Sequence, residues 1–234
     1  MFEHLQTILT GVKGQLDTLS GLVDAVAGLL TRAHSLVRHL RQAVSSLLQG
    51  RKPAAPPRAY ETLWLDLVLD LKDPRGERAV LTRRQRVRFL TADAGFLREL
   101  FWGEGRLLAR YRAQGAHRVA VHAEGSRGAV LLEPDHRAAA GDRLTVTSRR
   151  TIRGGFRRPQ EYFEVFLERP TGALRLTILF PTSRPPRAAR LVLAVGEQVL
   201  RSVPTRYGPG GRPLLRCRVR NPVTAVTYSL RWDW

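Results

Sequence analysis

The stretch of this sequence that is richest in anion-binding side chains contains five arginines on both sides of a glycine pair. Ser148–Pro159 reads SRRTIRGGFRRP and sets Phe156 among five guanidinium groups, those of Arg149, Arg150, Arg153, Arg157 and Arg158. Guanidinium groups bind phosphates in bidentate geometry, and an aromatic ring stacks on bases. The stretch therefore predicts an anion-binding loop, with the tip of an ordinary hairpin in an arginine-rich protein as the alternative. A second basic run joins this cluster if the fold places the two strands side by side: Arg83, Arg84, Arg86 and Arg88.

Three other groups of residues carry side chains that enzymes use. Cys217 alternates with arginines in LLRCRVR, which predicts a small core side chain rather than a nucleophile, because no base accompanies it. The six histidines lack the spacing of metal ligands. Asp66, Asp70 and Lys72 share one face of a strand, but metal-assisted hydrolysis needs more converging acids than these. The sequence thus predicts a protein that is not an enzyme and has no catalytic residue, metal or cofactor.

The composition is strongly basic. The formal net charge is +19 and the pI is about 11.5. Only three of the 39 basic residues are lysines, which leaves 36 arginines. Such an excess predicts a polyanionic partner, either nucleic acid or another anionic surface. The alternative is that the arginines reflect a GC-rich genome and are spread over a solvated surface.

Cysteine usage and the first residues bear on location. A single cysteine excludes an intrachain disulfide and fits a reducing compartment. The start, MFEHLQ, lacks the basic segment of a secretory signal. No stretch approaches the ~20 uncharged apolar residues of a membrane span. Together these features predict a cytoplasmic protein.

Residues 1–50 carry an unbroken heptad pattern. Two apolar series recur every seven residues, three positions apart, with a further apolar flank beside them. This pattern predicts a long helix in a coiled coil or bundle, assembling more than two copies of the chain or recruiting partner helices. The alternative is a helical hairpin that turns near residues 31–35. The predicted oligomerisation seam is Leu5, Leu9, Val12, Leu16, Leu19, Val23, Val26, Leu30, Val37, Leu40, Val44 and Leu47.

Three glycines lie opposite that seam. Gly14, Gly21 and Gly28 are seven residues apart, and each costs a helix roughly 1 kcal/mol relative to alanine. They are either passengers on a solvent-facing side or a flat face on which another backbone packs closely. The scarcity of charges around them favours the close-packing face. The same amphipathic segment also admits a third interpretation, insertion into a membrane.

The remaining chain changes to a period of two after a proline-rich linker at residues 51–58. Leucines alternate with other residues from Leu63 to Leu71, which predicts a strand with one buried face. Asp93 predicts the cap of a short helix up to residue 102, and a second short helix is predicted at 106–112. Further strands are predicted at 118–122, 129–132, 143–152, 161–168, 174–180, 190–194, 214–219 and 225–232. The predicted fold is therefore mainly β with an N-terminal α-helix: residues 59–234 form an antiparallel β-sandwich, with two immunoglobulin-like halves divided near 134–141 as a variant.

One resemblance supplements this interpretation. The segments WLDLVLDLKDPRGERAVLTRRQRVRFL, LFWGEGRLLARYR, RPTGALRLTILFP and YSLRW resemble a β-rich module that is attached to varied N-terminal parts in bacterial conflict and signalling proteins. The resemblance covers about residues 60–234 and implies a module for sensing or coupling. The predicted function is a non-enzymatic adaptor whose self-association is coupled to a recognition surface. The alternatives are a nucleic-acid-binding protein that uses its arginines and a membrane-active effector.

Overall fold

The computed structural model describes residues 59–92 and 95–234. These residues form fourteen strands and two short 3-10 helices at Val195–Glu197 and Pro209–Gly211. The strands are β1 Tyr60–Leu71, β2 Arg78–Phe89, β3 Leu97–Trp102, β4 Arg106–Gln114, β5 Ala116–Glu124, β6 Arg127–Pro134, β7 Arg143–Arg153, β8 Gln160–Phe166, β9 Ala173–Leu179, β10 Ala188–Leu193, β11 Gln198–Ser202, β12 Arg206–Tyr207, β13 Pro213–Arg220 and β14 Thr227–Asp233.

The predicted fold class, mainly β with an N-terminal α-helix, is wrong, because the described residues are all β and contain no α-helix. The heptad seam and glycines of residues 1–50 and the linker at 51–58 lie outside the described residues. The two short helices predicted after Asp93 are also wrong, since β3 and β4 occupy those positions. In β3, Leu97, Glu99 and Phe101 are buried while their neighbours are not, so tertiary packing imposes a period of two on a locally helix-like sequence.

The strands assemble into three sheets. The seven-stranded sheet has the order β12-β13-β9-β1-β2-β7-β4, the four-stranded sheet β11-β10-β14-β8 and the three-stranded sheet β3-β6-β5. All neighbouring strands are antiparallel except β1 and β9, which are parallel. The sheet-rich fold is consistent with the predicted β-sandwich, but the parallel pair of β1 and β9 departs from the predicted antiparallel arrangement. The seven-stranded sheet takes strands from both sides of residues 134–141.

The inner face of the seven-stranded sheet carries two hydrophobic cores. The first core lies against the four-stranded sheet and joins Leu69, Leu176 and Trp232. The second core lies against the three-stranded sheet and includes Phe89 and Leu132. One continuous sheet therefore supports both cores. This continuity also aligns β2 and β7 along their whole lengths, in a register that runs from Arg78 opposite Arg153 to Arg88 opposite Arg143.

A bulge in β1 lets that strand serve both cores. The register of β1 against β2 shifts between Thr62 and Trp64, so Tyr60 on one side of the bulge and Leu65 on the other both point inward. Without the extra residue, a period of two would send one of these side chains to solvent. Between the two cores the inner face is polar, with Gln85 and Ser148 buried in place of apolar side chains.

Candidate functional site

Arginines dominate the outer face of the seven-stranded sheet where β2, β7 and β4 lie side by side. Alternate residues of these strands point away from the cores, and most of these positions hold arginine or threonine. We call the following ten residues the arginine face: Arg78, Arg84, Arg86, Arg88, Arg106, Arg110, Arg112, Arg143, Arg149 and Arg153.

The strand register sets the spacing of these charges. Arg149 of β7 lies opposite Thr82 of β2 on one side and opposite Arg112 of β4 on the other, while Arg84 lies one same-face step away, opposite Thr147. Same-face neighbours are about 6.8 Å apart along a strand, and adjacent strands are about 4.8 Å apart. The ten-residue step from Arg78 to Arg88 makes the face about 34 Å long.

No acidic side chain of these three strands offsets the arginines, because their sequences contain neither aspartate nor glutamate. Within the described residues, one arginine of the face forms an ion pair: the Arg88 guanidinium nitrogen lies 2.6 Å from the Glu61 carboxylate oxygen on β1. The Arg84 guanidinium lies 5.8 Å from the centre of the half-buried Trp64 ring. The face therefore presents a concentration of positive charge, in which nine guanidinium groups form no ion pair among the described residues. Asp66 of β1 lies opposite Arg84 but pairs with Arg175.

Acidic residues do approach one end of the face, where Arg78, Arg110 and Arg153 line a shallow depression of about 590 Å³ together with Asp73 and Glu77. The Asp73 carboxylate accepts hydrogen bonds from the backbone N–H groups of residues 75, 77 and 78, at 3.0, 3.1 and 2.7 Å. Glu77 forms an ion pair of 3.7 Å with an arginine of the loop that follows β7. Both acids thus make local contacts, and among the described residues neither forms an ion pair with Arg78, Arg110 or Arg153.

The structure separates the five arginines predicted as one anion-binding loop. Arg149 and Arg153 lie on the arginine face, whereas Arg150 is on the inner side of the sheet, 5.2 Å from the centre of the Phe101 ring. The last two, Arg157 and Arg158, form ion pairs with Glu77 and Glu104. Their aromatic neighbour, the Phe156 of the predicted loop, is buried in the first core, so its ring does not reach a base.

The second basic run does join the cluster in part, because β2 pairs with β7. Arg84, Arg86 and Arg88 belong to the arginine face, while Arg83 points inward. Sequence reasoning missed the arginines of β4, since a helix was expected there. Their signal was the alternation of Arg110, Tyr111 and Arg112, which is a strand pattern.

The remaining chemical candidates are structural. Cys217 is buried in the first core, as predicted, and burial raises the pKa of its thiol to about 11. Asp66 pairs with Arg175 at 3.2 Å, and Asp70 pairs with Lys72 and Arg212. Among residues 59–92 and 95–234, no group of histidine, cysteine and acidic side chains is arranged to hold a metal ion. The described residues also include no helix with the length and apolarity to cross a membrane.

No protein-family model matches the chain, and no curated protein matches it. Among solved structures, one chain from Parabacteroides distasonis, named provisionally as a protease, matches over 75% of this chain with 9% identity and a TM-score of 0.48. An M1 zinc metallopeptidase from Deinococcus radiodurans matches over 76% with 13% identity and a TM-score of 0.42. This chain spans 40% and 43% of the lengths of those two chains.

Proposed function

We propose that this protein is a non-enzymatic binding module that holds nucleic acid by its phosphate backbone on the arginine face. One observation carries the proposal: three adjacent strands display ten arginines and no acidic residue on a single side of the sheet. Lysine and arginine contacts to phosphates supply most of the affinity of sequence-independent nucleic-acid binding.

The side chains between the arginines support recognition of the backbone rather than of bases. Thr82, Thr145, Thr147 and Thr151 alternate with the arginines and offer hydroxyl donors suited to phosphate oxygens. The aromatic side chain beside them, Trp64, is half-buried with Arg84 over its ring. Proteins that bind single strands instead present exposed aromatic rings on which bases stack. We therefore expect weak sequence preference and a duplex as the preferred ligand.

The dimensions of the face suit an extended ligand. A duplex segment about 34 Å long carries about 20 phosphates on its two strands, and one side of it faces the protein. A flat sheet with charges spread along this length makes several phosphate contacts at once, whereas a single pocket would hold one. The test is therefore the dependence of affinity on salt, which counts the phosphates neutralised.

The experiment removes three neighbouring charges from the centre of the face, in the full-length variant R84Q/R112Q/R149Q. Glutamine keeps most of the side-chain length and lowers the net charge from +19 to +16. Each phosphate contact contributes about 0.9 to the slope of log K against log salt for duplex DNA, so the slope should fall by about 2.7. Binding is measured by fluorescence anisotropy with a labelled 20-base-pair duplex of mixed sequence.

A matched variant controls for net charge. R187Q/R190Q/R206Q removes three exposed arginines outside the arginine face and also yields +16. Its salt slope should equal that of the unmodified protein. Equal losses in the two variants would show that overall charge, and not the arginine face, drives binding, and absence of duplex binding in the unmodified protein would refute the proposal.

The wider role expected from the sequence remains a separate proposal. Self-association through residues 1–50 would bring several arginine faces onto one nucleic acid, which would raise the avidity of the assembled protein for that ligand. The heptad pattern supports this self-association. The resemblance described above supports a place for the protein in a bacterial defence or signalling system. Comparing the mass of the full chain with that of a variant lacking residues 1–50 by light scattering tests the first part.

A further inference from the structure

A polar cleft lies on the inner side of the seven-stranded sheet, between the four-stranded and three-stranded sheets that cover it. It encloses about 60 Å³ and is lined by both charged and apolar side chains. We call it the inner cleft. Its floor includes Gln85 and Ser148, which are 2% and 4% exposed, and its wall includes Glu99, which is 3% exposed. Polar groups buried this deeply normally have hydrogen-bond partners.

Glu99 is fully engaged within the protein. Its carboxylate accepts hydrogen bonds from the Ser148 hydroxyl at 2.8 and 2.9 Å and from the Tyr111 hydroxyl at 3.0 Å. The Nε of Arg83 lies 3.6 Å from the same carboxylate. Burial raises the pKa of Tyr111, and the Glu99 charge raises it further, so the phenol remains a donor at neutral pH.

Several donors of the inner cleft have no acceptor. The Nε2 of Gln85 and the Nε atoms of Arg83, Arg150 and Arg169 are buried without a hydrogen-bond partner. The guanidinium of Arg150 lies over the Phe101 ring, and that of Arg169 lies 4.3 Å from the centre of the Tyr60 ring. Ring stacking orients both groups but supplies no acceptor for their N–H bonds. The orphaned atoms are all donors, so the missing partner is an acceptor.

The charges of the inner cleft leave an excess of one positive charge. Its lining contains four arginines and three glutamates. Arg98 forms an ion pair with Glu168, Arg83 lies beside Glu99, and Glu164 accepts a hydrogen bond of 2.9 Å from the Trp102 ring N–H. Burial lowers the pKa of Arg150 to about 10, which still leaves this guanidinium charged at neutral pH. A single negative charge would balance the cleft.

We infer that the inner cleft binds a small aliphatic carboxylate. The planar carboxylate matches guanidinium donors, its single charge matches the excess of one, and the volume limits the ligand to a few non-hydrogen atoms. Leu81, Phe163 and Val165 line the side nearer the first core and suit the aliphatic end of the ligand. This site is separate from the arginine face, since the two lie on opposite sides of the sheet.

Acetate is the probe for this inference, and acetamide is its neutral isostere. Isothermal titration of the full-length protein at fixed ionic strength should show saturable binding of acetate and none of acetamide. Equal binding of the two, or no saturable binding of acetate, would overturn the inference and leave water as the occupant of the cleft.

Two isosteric variants give opposite expected results. Gln85→Glu replaces the orphaned donor by a negatively charged acceptor without changing the size of the side chain, so acetate affinity should fall about tenfold or more, the equivalent of one charge-assisted hydrogen bond. Glu99→Gln removes a negative charge from the wall, so acetate should bind more tightly. Unchanged affinity in Gln85→Glu, with the fold verified by circular dichroism, would refute the site.

The two proposals can fail independently. R84Q/R112Q/R149Q should retain acetate binding, and Gln85→Glu should retain the salt slope for duplex DNA. Loss of acetate binding in the triple variant would contradict the assignment to the inner cleft, because those three side chains lie on the outer face.

Discussion

Replacing Glu99 by leucine should destabilise this protein more than the same replacement of any exposed acidic residue. The side chain is 3% exposed, accepts hydrogen bonds from Ser148 and Tyr111 and lies 3.6 Å from the Nε of Arg83. Leucine has a similar volume, so the change removes charge and acceptors without opening a large cavity. Its effect therefore reports on the polar contacts.

The magnitude follows from the groups left behind. Removing one partner of a buried ion pair costs about 3–5 kcal/mol, and a buried hydroxyl without a partner costs about 1–3 kcal/mol. These costs overlap because the two hydroxyl donors and the Arg83 guanidinium share one carboxylate, so we expect about 3–5 kcal/mol in total. For a chain of this size that loss corresponds to a fall in Tm of about 6–20 °C.

Urea unfolding followed by tryptophan fluorescence measures the change. Glu124→Leu, at an exposed position on β5, is the control and should stay within about 0.5 kcal/mol of the unmodified protein. Ser148→Ala should cost less when combined with Glu99→Leu than in the unmodified protein, since its acceptor is already gone. A Glu99→Leu protein within about 1 kcal/mol of the unmodified one would refute the argument that the buried contacts of this carboxylate stabilise the fold.

Two further predictions concern the backbone and the buried thiol. Gly76→Ala should lower the free energy of unfolding in urea by more than about 2 kcal/mol, because Gly76 has φ +70° and a Cβ there would lie 1.4 Å from the Phe156 carbonyl oxygen. Gly210→Ala is the control. Gly210 has φ +69° and nothing within 4 Å of a Cβ, so this change should cost about 1–2 kcal/mol. Equal costs at the two glycines would contradict the predicted clash. Because burial raises the pKa of Cys217 from 9.0 to about 11, the folded state holds this proton more tightly than the unfolded state. The thiol therefore contributes stability below pH 9 that is lost as the pH rises toward 11, and Cys217→Ala should reduce this alkaline loss, as measured by unfolding at pH 8 and pH 10.5. An unchanged pH dependence in that variant would show that the thiol does not couple to folding.

The arginine face and the inner cleft lie on the two sides of the same strands. In β7, Arg149 faces outward into solvent and Arg150, the next residue, faces inward to a cleft. The pleat of a strand makes this separation automatic, because successive side chains point to opposite faces. The pleat therefore separates Arg149 and Arg153 from Arg150, while Arg157 and Arg158 lie beyond the end of β7 and pair with Glu77 and Glu104.

Local patterns in the sequence determined much of the β structure. The alternating leucines of β1 predict a strand with one buried face, and the structure buries Leu65, Leu67, Leu69 and Leu71. Cys217, which alternates with Arg216 and Arg218 in β13, is predicted as a core side chain, and the structure buries it while both arginines are exposed. These predictions succeed because a period of two is a local property that any strand with one covered face must show.

Tertiary structure alone decided which residues share a site. Arg84, Arg112 and Arg149 are far apart in the sequence and come together because β2, β7 and β4 are neighbours in one sheet. Glu99 falls within the short helix predicted after Asp93, yet packing against the seven-stranded sheet makes that segment a strand, β3, in which Glu99 is buried. The arginines share one face because strand pairing joins distant parts of the chain. Glu99 is buried because donors from other strands compensate the cost of burying its carboxylate. The residues next to these positions in the sequence predict neither outcome.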